Sequence, residues 1–488
     1  MLFNSWQFVL FFPTVVFLYF SLPHRYRWAL LLGASYFFYM SWEPAYLLLI
    51  LTSTVVDYFA SLGIAKTSSR YKRKGFLILS LCANLGLLFS FKYFNFFSES
   101  LRFLFQYLPF SYNIPALNFL LPVGISFYTF QTLSYTIEVY RGNQEPEKHF
   151  GYFALYVSYF PQLVAGPIER PMNLLPQLRS KHDFDYNRVT EGLGLIVWGL
   201  FKKVVIADRL ALIVDNVYAQ PDRFTGVGLS IATVFFAFQI YCDFSGYTDI
   251  AIGCAQVMGH RLMRNFNRPY FATSIAEFWK RWHISLTTWF RDYLYIPLGG
   301  NRVKISRFYF NIIVVFVISG LWHGANWTFI LWGLYHGLYY IIGKSTNSYR
   351  QTVAKISGLS RYPRFHHIVK IVITFVLVCF GWIIFRANNF SDVVTIISRL
   401  GTGWASLLSA SEFKMVLDSF NVPAEEFWLG LLLIGLLISI QFLHGPKRVT
   451  EFFAQWNWPM RRLAYVLLVL MIFNFGVAQK IPFIYFQF

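Results

Sequence analysis

Two histidines in apolar surroundings carry the residue type best suited to chemistry. His323 lies in Ser319-Gly320-Leu321-Trp322-His323-Gly324-Ala325-Asn326-Trp327, within a run from Phe308 to Gly343 that has no Asp, Glu, Lys or Arg. An imidazole accepts and donates protons near neutral pH without unusual tuning. A helix beginning near Phe308 would carry His323 about 22 Å along its axis, well into a hydrocarbon core about 30 Å thick. A polar ring at that depth is costly unless it faces a cavity or a partner. Gly320, Gly324 and Ala325 leave room for a backbone or a substrate to come close. His336 falls about 220° further round the same helix, if that helix is continuous, and reads as structural. His283 sits in Phe278-Trp279-Lys280-Arg281-Trp282-His283-Ile284-Ser285-Leu286. Alone it reads as an interfacial residue; with Trp279 four residues earlier on one helix face, it could also line a cavity with one aromatic wall and one polar group.

The acids read differently. Asp243 and Asp249, in Tyr241-Cys242-Asp243-Phe244-Ser245-Gly246-Tyr247-Thr248-Asp249, are expected to pair with basic residues of the 260–307 segment, and Asp57 to pair in a similar way. Glu138 and Arg141, three apart at a helix end, suit a local ion pair. There is no HExxH zinc motif and no GxSxG nucleophile elbow. Gly343-Lys344-Ser345 is a helix terminus, because Leu338 stands where a phosphate loop needs glycine. Cys82, Cys242, Cys254 and Cys379 show no CxxC spacing and read as small buried thiols.

The elements that must hold these residues are membrane helices. Of 488 residues, 56% are hydrophobic and 13% charged. Soluble domains carry about 25% charged residues, so a soluble enzyme and a disordered chain are both excluded. Aromatic residues make up 21% of the chain, as suits anchoring at lipid interfaces. The net charge of +19 comes without a zinc-finger or RNA-binding signature. Nucleic acid is therefore not expected as a partner, and loops facing anionic lipid are.

Apolar stretches near 5–22, 27–42, 45–65, 75–93, 117–140, 150–165, 190–207, 226–242, 308–343, 368–386, 427–443 and 463–479 predict an all-α polytopic protein of ten to twelve spans. Pro and Gly interruptions predict broken or re-entrant helices. The whole chain, 1–488, reads as a single membrane-embedded domain. Its catalytic core is expected in 120–345 and a set of C-terminal transmembrane helices in 346–488. The 66–74 loop has five basic residues and no acids, so it is expected on the cytoplasmic side, which places the N-terminus outside. The first 23 residues carry no charge and read as a retained membrane helix.

The segment 260–307 has nine basic residues against two acidic ones, interleaved with Trp279, Trp282, Trp289, Tyr293 and Tyr295. That pattern suits helices lying in the interface. It suits a lipid anchor and also a mouth that attracts a phosphate-rich donor.

The chain resembles the membrane-bound O-acyltransferase family, in its branch that O-acetylates polysaccharide or peptidoglycan. The resemblance rests on Val164-Ala165-Gly166-Pro167-Ile168-Glu169-Arg170, the 241–249 motif, Phe278–His283, Phe290-Arg291-Asp292-Tyr293-Leu294-Tyr295-Ile296-Pro297-Leu298-Gly299-Gly300, Leu321–Gly324 and the closing Pro482–Phe488. It implies helices around a central tunnel, His323 as the signature histidine and His283 as a second functional histidine. It implies a cytoplasmic acyl donor, expected to be acetyl-CoA, with no bound cofactor and no metal. Trp279, Lys280, Arg281 and Arg291 are then expected on the donor or tunnel side, and Trp322 and Asn326 near the reacting carbonyl. The final acceptor is expected to be an extracytoplasmic polysaccharide, reached through a partner protein with a serine-hydrolase-like site, from the inner membrane of a bacterium. His323 could serve as general base or as covalent acyl carrier. D-alanyl transfer to teichoic acid is the rival within the family. A polysaccharide or lipid transporter without chemistry, or a scaffold, is the rival outside it. A transporter would call for a continuous polar path through several spans, and the intramembrane acids here are isolated.

Overall fold

The computed structural model describes residues 1–106, 115–117, 121–477 and 481–484. Every regular element among them is helical. Among the described residues, seven helices are long and apolar enough to cross a bilayer, against the ten to twelve spans expected: Pro44–Lys66, Arg70–Phe105, Gly226–Val257, Ile305–His323, Pro363–Arg386, Ala424–His444 and Trp458–Phe475. Other apolar stretches, Trp6–Ser21 among them, form shorter helices. Large apolar side chains stay exposed along the outer helices, for example Leu463, Val466, Leu467, Leu470 and Phe473 of Trp458–Phe475. In water such a surface would aggregate, whereas lipid solvates it.

The chain divides into two compact units. The first comprises residues 1–198 and 247–263, and the second residues 199–246 and 264–488. In the first unit, Asp57 is fully buried. Its carboxylate accepts the Ser80 hydroxyl and the Asn84 amide, the latter at 2.9 and 3.0 Å, and Thr132 donates to Asn84 Oδ1 at 3.2 Å. Hydroxyl and carboxamide donors therefore hold Asp57, not the cation expected from the sequence. Asp57 and these donors sit on three helices, Leu47–Lys66, Arg70–Leu88 and Ile125–Arg141, so the polar knot ties the three together inside an apolar bundle. Glu138 and Arg141 form the expected ion pair at 3.1 Å. Arg73 donates to the carbonyl of Tyr140, Arg179 pairs with Glu147, and Arg27 donates to the carbonyl of His182. Of the four free thiols, Cys242, Cys254 and Cys379 are buried as expected, and Cys82 is exposed.

In the second unit, the run 308–343 is not one helix. It folds as Ile305–His323 and Trp327–Ser345, broken at Gly324–Asn326. Gly324 is extended, and the Asn326 side chain caps the second helix by accepting the N–H of Thr328 at 3.0 Å. The two helices pack against each other through glycines. A methyl group at Gly320 would strike the carbonyl of Phe329, and one at Gly333 would strike the carbonyl of Phe316. His323 is thus the last residue of its helix. The angular argument that separated His336 from it assumed a continuous helix and does not hold.

Asp243 also finds a different partner from the one expected. Gly226–Val257 is a continuous helix of 32 residues that presents Asp243 to the π-helical turn Phe201–Ala207. There Lys203 Nζ bonds Asp243 Oδ1 at 2.6 Å and Asp208 Oδ1 at 2.7 Å, all three buried. Lys203 Nζ also donates to the carbonyl of Ile481 at 3.2 Å, while Ile484 N–H donates to Asp243 Oδ2 at 2.8 Å. The closing segment is therefore bound to a buried ion cluster. Its last residues, 485–488, lie outside the described residues.

Candidate active site

His323 is 4% exposed and enclosed by rings. Trp322 and Trp332 lie at 5.0 Å between centroids, and Phe385 at 5.4 Å. These rings come from three helices, Ile305–His323, Trp327–Ser345 and Pro363–Arg386. The helix ends at His323 because the extended Gly324 turns the chain away, and this leaves the imidazole at a helix terminus beside the hairpin loop.

His283 is 1% exposed and packs into the same unit. The helix Ile275–Arg281 stops before it, and His283 itself is the N-cap of Ile284–Phe290, in the left-handed region at φ 44°. Phe244 meets its ring edge to face at 4.7 Å, and Trp322 lies at 5.8 Å. Trp322 thus contacts both histidines. Burial, and then the nearby His323, holds the His283 imidazole well below the ordinary histidine range. It is therefore neutral at physiological pH, with one ring nitrogen an acceptor and the other a donor.

Trp279 does not share a face with His283. The helical spacing ends at Arg281, since Trp282 is extended. Trp279 instead meets Trp332 at 5.5 Å and His336 at 5.0 Å. His336, fully buried, touches Trp332 at 5.1 Å. Trp332 therefore stands between His323 and the Trp279–His336 pair. The sequence offered no reason to select Trp332, Phe385 or Phe244, because an aromatic residue in an apolar helix carries no signature of the ring it will face.

The basic residues of the segment divide into those held internally and those facing outward. Arg281 pairs with Glu277 and donates to the carbonyl of Arg268. Burial alone would raise the Glu277 carboxyl, but bonds from Thr273 and Arg281 hold it below its usual range. Arg264 donates to the carbonyls of Phe266 and Pro446, at 2.6 and 2.7 Å, and Arg268 to that of Gln441. Lys280, Arg291, Arg302, Lys304 and Arg307 are exposed, with Arg291 bonded to its neighbour Asp292 at 2.7 Å. Asn326 uses both ends of its amide: the oxygen caps a helix, and the nitrogen donates to the carbonyl of Asn388 at 3.1 Å.

A buried pair of histidines, one neutral and both walled by aromatic rings, can accept a proton from a hydroxyl group or a transferred group at nitrogen. The chain is similar to several known proteins. The profile of the membrane-bound O-acyltransferase family matches residues 147–390, a range that contains both histidines. The probable alginate O-acetylase of Pseudomonas aeruginosa is 43% identical over 395 residues, covering 80% of this chain and 72% of its own. The peptidoglycan O-acetyltransferase of Helicobacter pylori is 34% identical, covering 100% of this chain and 98% of its own. The teichoic acid D-alanyltransferase of Bacillus subtilis is 28% identical, covering 57% of this chain and 71% of its own. With half its length matched by the family profile and its full length aligned to an O-acetyltransferase, the chain belongs to the membrane-bound O-acyltransferase family.

Proposed function

We propose that the protein takes an acetyl group from a cytoplasmic thioester, acetyl-CoA, and passes it across the inner membrane of a bacterium for O-acetylation of an extracytoplasmic polysaccharide, either alginate-like or peptidoglycan. The observation that carries this reading is the burial of His323 and His283 around Trp322, in a chain 43% and 34% identical to relatives named for O-acetylation. In the transfer, an acceptor oxygen or the His323 nitrogen attacks the thioester carbonyl. The carbon–sulfur bond breaks, and the thiol leaves with a proton. If His323 acts as base, it takes that proton from the acceptor hydroxyl. If it acts as carrier, the acyl group rests on nitrogen before the acceptor collects it. His283, neutral and beside it, orients the thioester or shares the proton. The N-terminus faces outward, and the acetyl group leaves through a partner protein with a serine-hydrolase-like site.

The exposed cations near this site match the phosphates of such a donor. Removing charge at Lys280 and Arg291 together, as Lys280→Gln with Arg291→Gln, is expected to raise the donor KM about threefold to tenfold, with kcat nearly unchanged. Exposed charges are screened within about 8 Å at physiological salt. The KM of the unmodified protein should therefore rise with salt, and that of the double variant should rise less steeply. The measurement is steady-state kinetics at two salt concentrations, beside a thermal-unfolding check. An unchanged KM and an unchanged salt slope in folded protein would leave these residues as a lipid anchor and move the donor entrance elsewhere.

A further inference from the structure

The backbone of His283, at φ 44° and ψ 54°, is one of three non-glycine residues with positive φ among those described. A side-chain-bearing residue enters that region only when its surroundings require it. What requires it here is a second stretch of chain, Asn265–Asn267, lying alongside. Ile284 N–H donates to the Asn265 carbonyl at 2.9 Å, and Asn267 N–H donates to the Arg281 carbonyl at 2.8 Å. The Asn265 side chain adds the bonds that close the turn. Its Oδ1 accepts Ser285 N–H at 3.1 Å and the Ser285 hydroxyl at 3.0 Å. Backbone and side chain of this one residue thus bind both residues that follow His283. Asn265 is 1% exposed, so water does not compete for these bonds. The backbone N–H of Ser285 can only donate, which fixes the carboxamide with its oxygen toward the turn. Its nitrogen is buried without a hydrogen-bond partner among the described residues.

We propose that Asn265 is the positioning residue for His283. Its carboxamide oxygen locks the left-handed turn that aims the imidazole at Phe244 and Trp322, and so sets the distance and angle at which His283 meets the reacting group. The inference rests on the acetyl-transfer reading only for its readout, since the geometry stands without it.

The test uses the full-length protein in membranes with acetyl-CoA as donor. Asn265→Ala is expected to lower kcat by about tenfold to a hundredfold, the range an ångström-scale misplacement produces, with the donor KM within about twofold. Asn265→Asp keeps an acceptor oxygen and, at this burial, exchanges the unpartnered N–H group for the O–H of a protonated carboxyl, so it should retain most of the activity. The double variant Asn265→Ala/His283→Ala should be no slower than His283→Ala alone, because a residue that acts through His283 has nothing left to act on. Should Asn265→Ala fail to reach the membrane, Asn265→Gln carries the test. It keeps the amide but moves it by one methylene, and kcat should again fall. An unchanged kcat, an Asn265→Asp protein as impaired as the alanine variant, or losses that multiply in the double variant would each overturn the proposal. Absence of donor turnover by the unmodified protein would instead overturn the acetyl-transfer reading.

Discussion

Cells carrying His323→Ala are expected to lose polymer O-acetylation while holding the protein in the membrane at its normal level. A positioned acid or base contributes about 10²- to 10⁴-fold to a rate, and loss of a covalent carrier removes the pathway altogether. Either role predicts product at or below about one hundredth of the unmodified level. The structural cost is smaller. His323 ends its helix, so a substitution there leaves the hydrogen bonds of the preceding turns in place; Trp332 still packs on Phe385 at 5.2 Å and Trp322 still meets His283. His323→Gln, which refills part of the volume, should be equally inactive. Acetylation near normal in either variant, with the protein present in normal amount, would remove His323 from the chemistry. The assay is acetyl content of the secreted or wall polymer, read beside an immunoblot of the membrane fraction.

The largest effect on stability is expected from Lys203→Met. The Lys203 side chain is 0% exposed and bonds two buried carboxylates, Asp208 and Asp243. Deleting the cation leaves two acids facing each other without compensation, a loss of about 3–5 kcal/mol for a broken buried pair. It also releases the carbonyl of Ile481, and with it the closing segment that Asp243 holds through Ile484. The expected result is a sharp fall in membrane abundance and a melting transition in detergent lowered by several degrees. Lys203→Met protein with normal abundance and an unshifted transition would show that the cluster is not what holds this end of the chain.

How far the sequence reached depended on what each residue's environment had to supply. His323 stood out because an imidazole in an apolar run is a costly group that calls for a reason, whereas His283, in a basic and aromatic segment, stood out through the family resemblance; the structure brings both to Trp322. The helical class followed from apolar length alone. The break at Gly324–Asn326 was written in the sequence as a glycine followed by a capping asparagine. The absence of charge across 308–343 masked it, because hydropathy does not register a turn made of small and aromatic residues. The partner of Asp243 was not legible, since nothing local to residue 243 indicates that a lysine forty positions earlier returns to it. Trp279 was assigned to the wrong face for a related reason. Helical spacing was carried across Trp282, where the backbone is already extended. Asn265 carried no local signal either, because its role lies in bonds to residues twenty positions away.

The central claim is that acetyl transfer from a cytoplasmic thioester passes through the buried histidine pair. It is tested most directly with purified protein in sealed vesicles, given acetyl-CoA labelled in the acetyl group together with an acceptor polysaccharide and its partner protein. The unmodified protein should release free CoA thiol on the donor side as label appears on the acceptor, one for one. The His323→Ala protein should do neither above background. Label transfer by the alanine variant at the unmodified rate, or no thiol release by the unmodified protein while a different donor supports acetylation, would contradict the account.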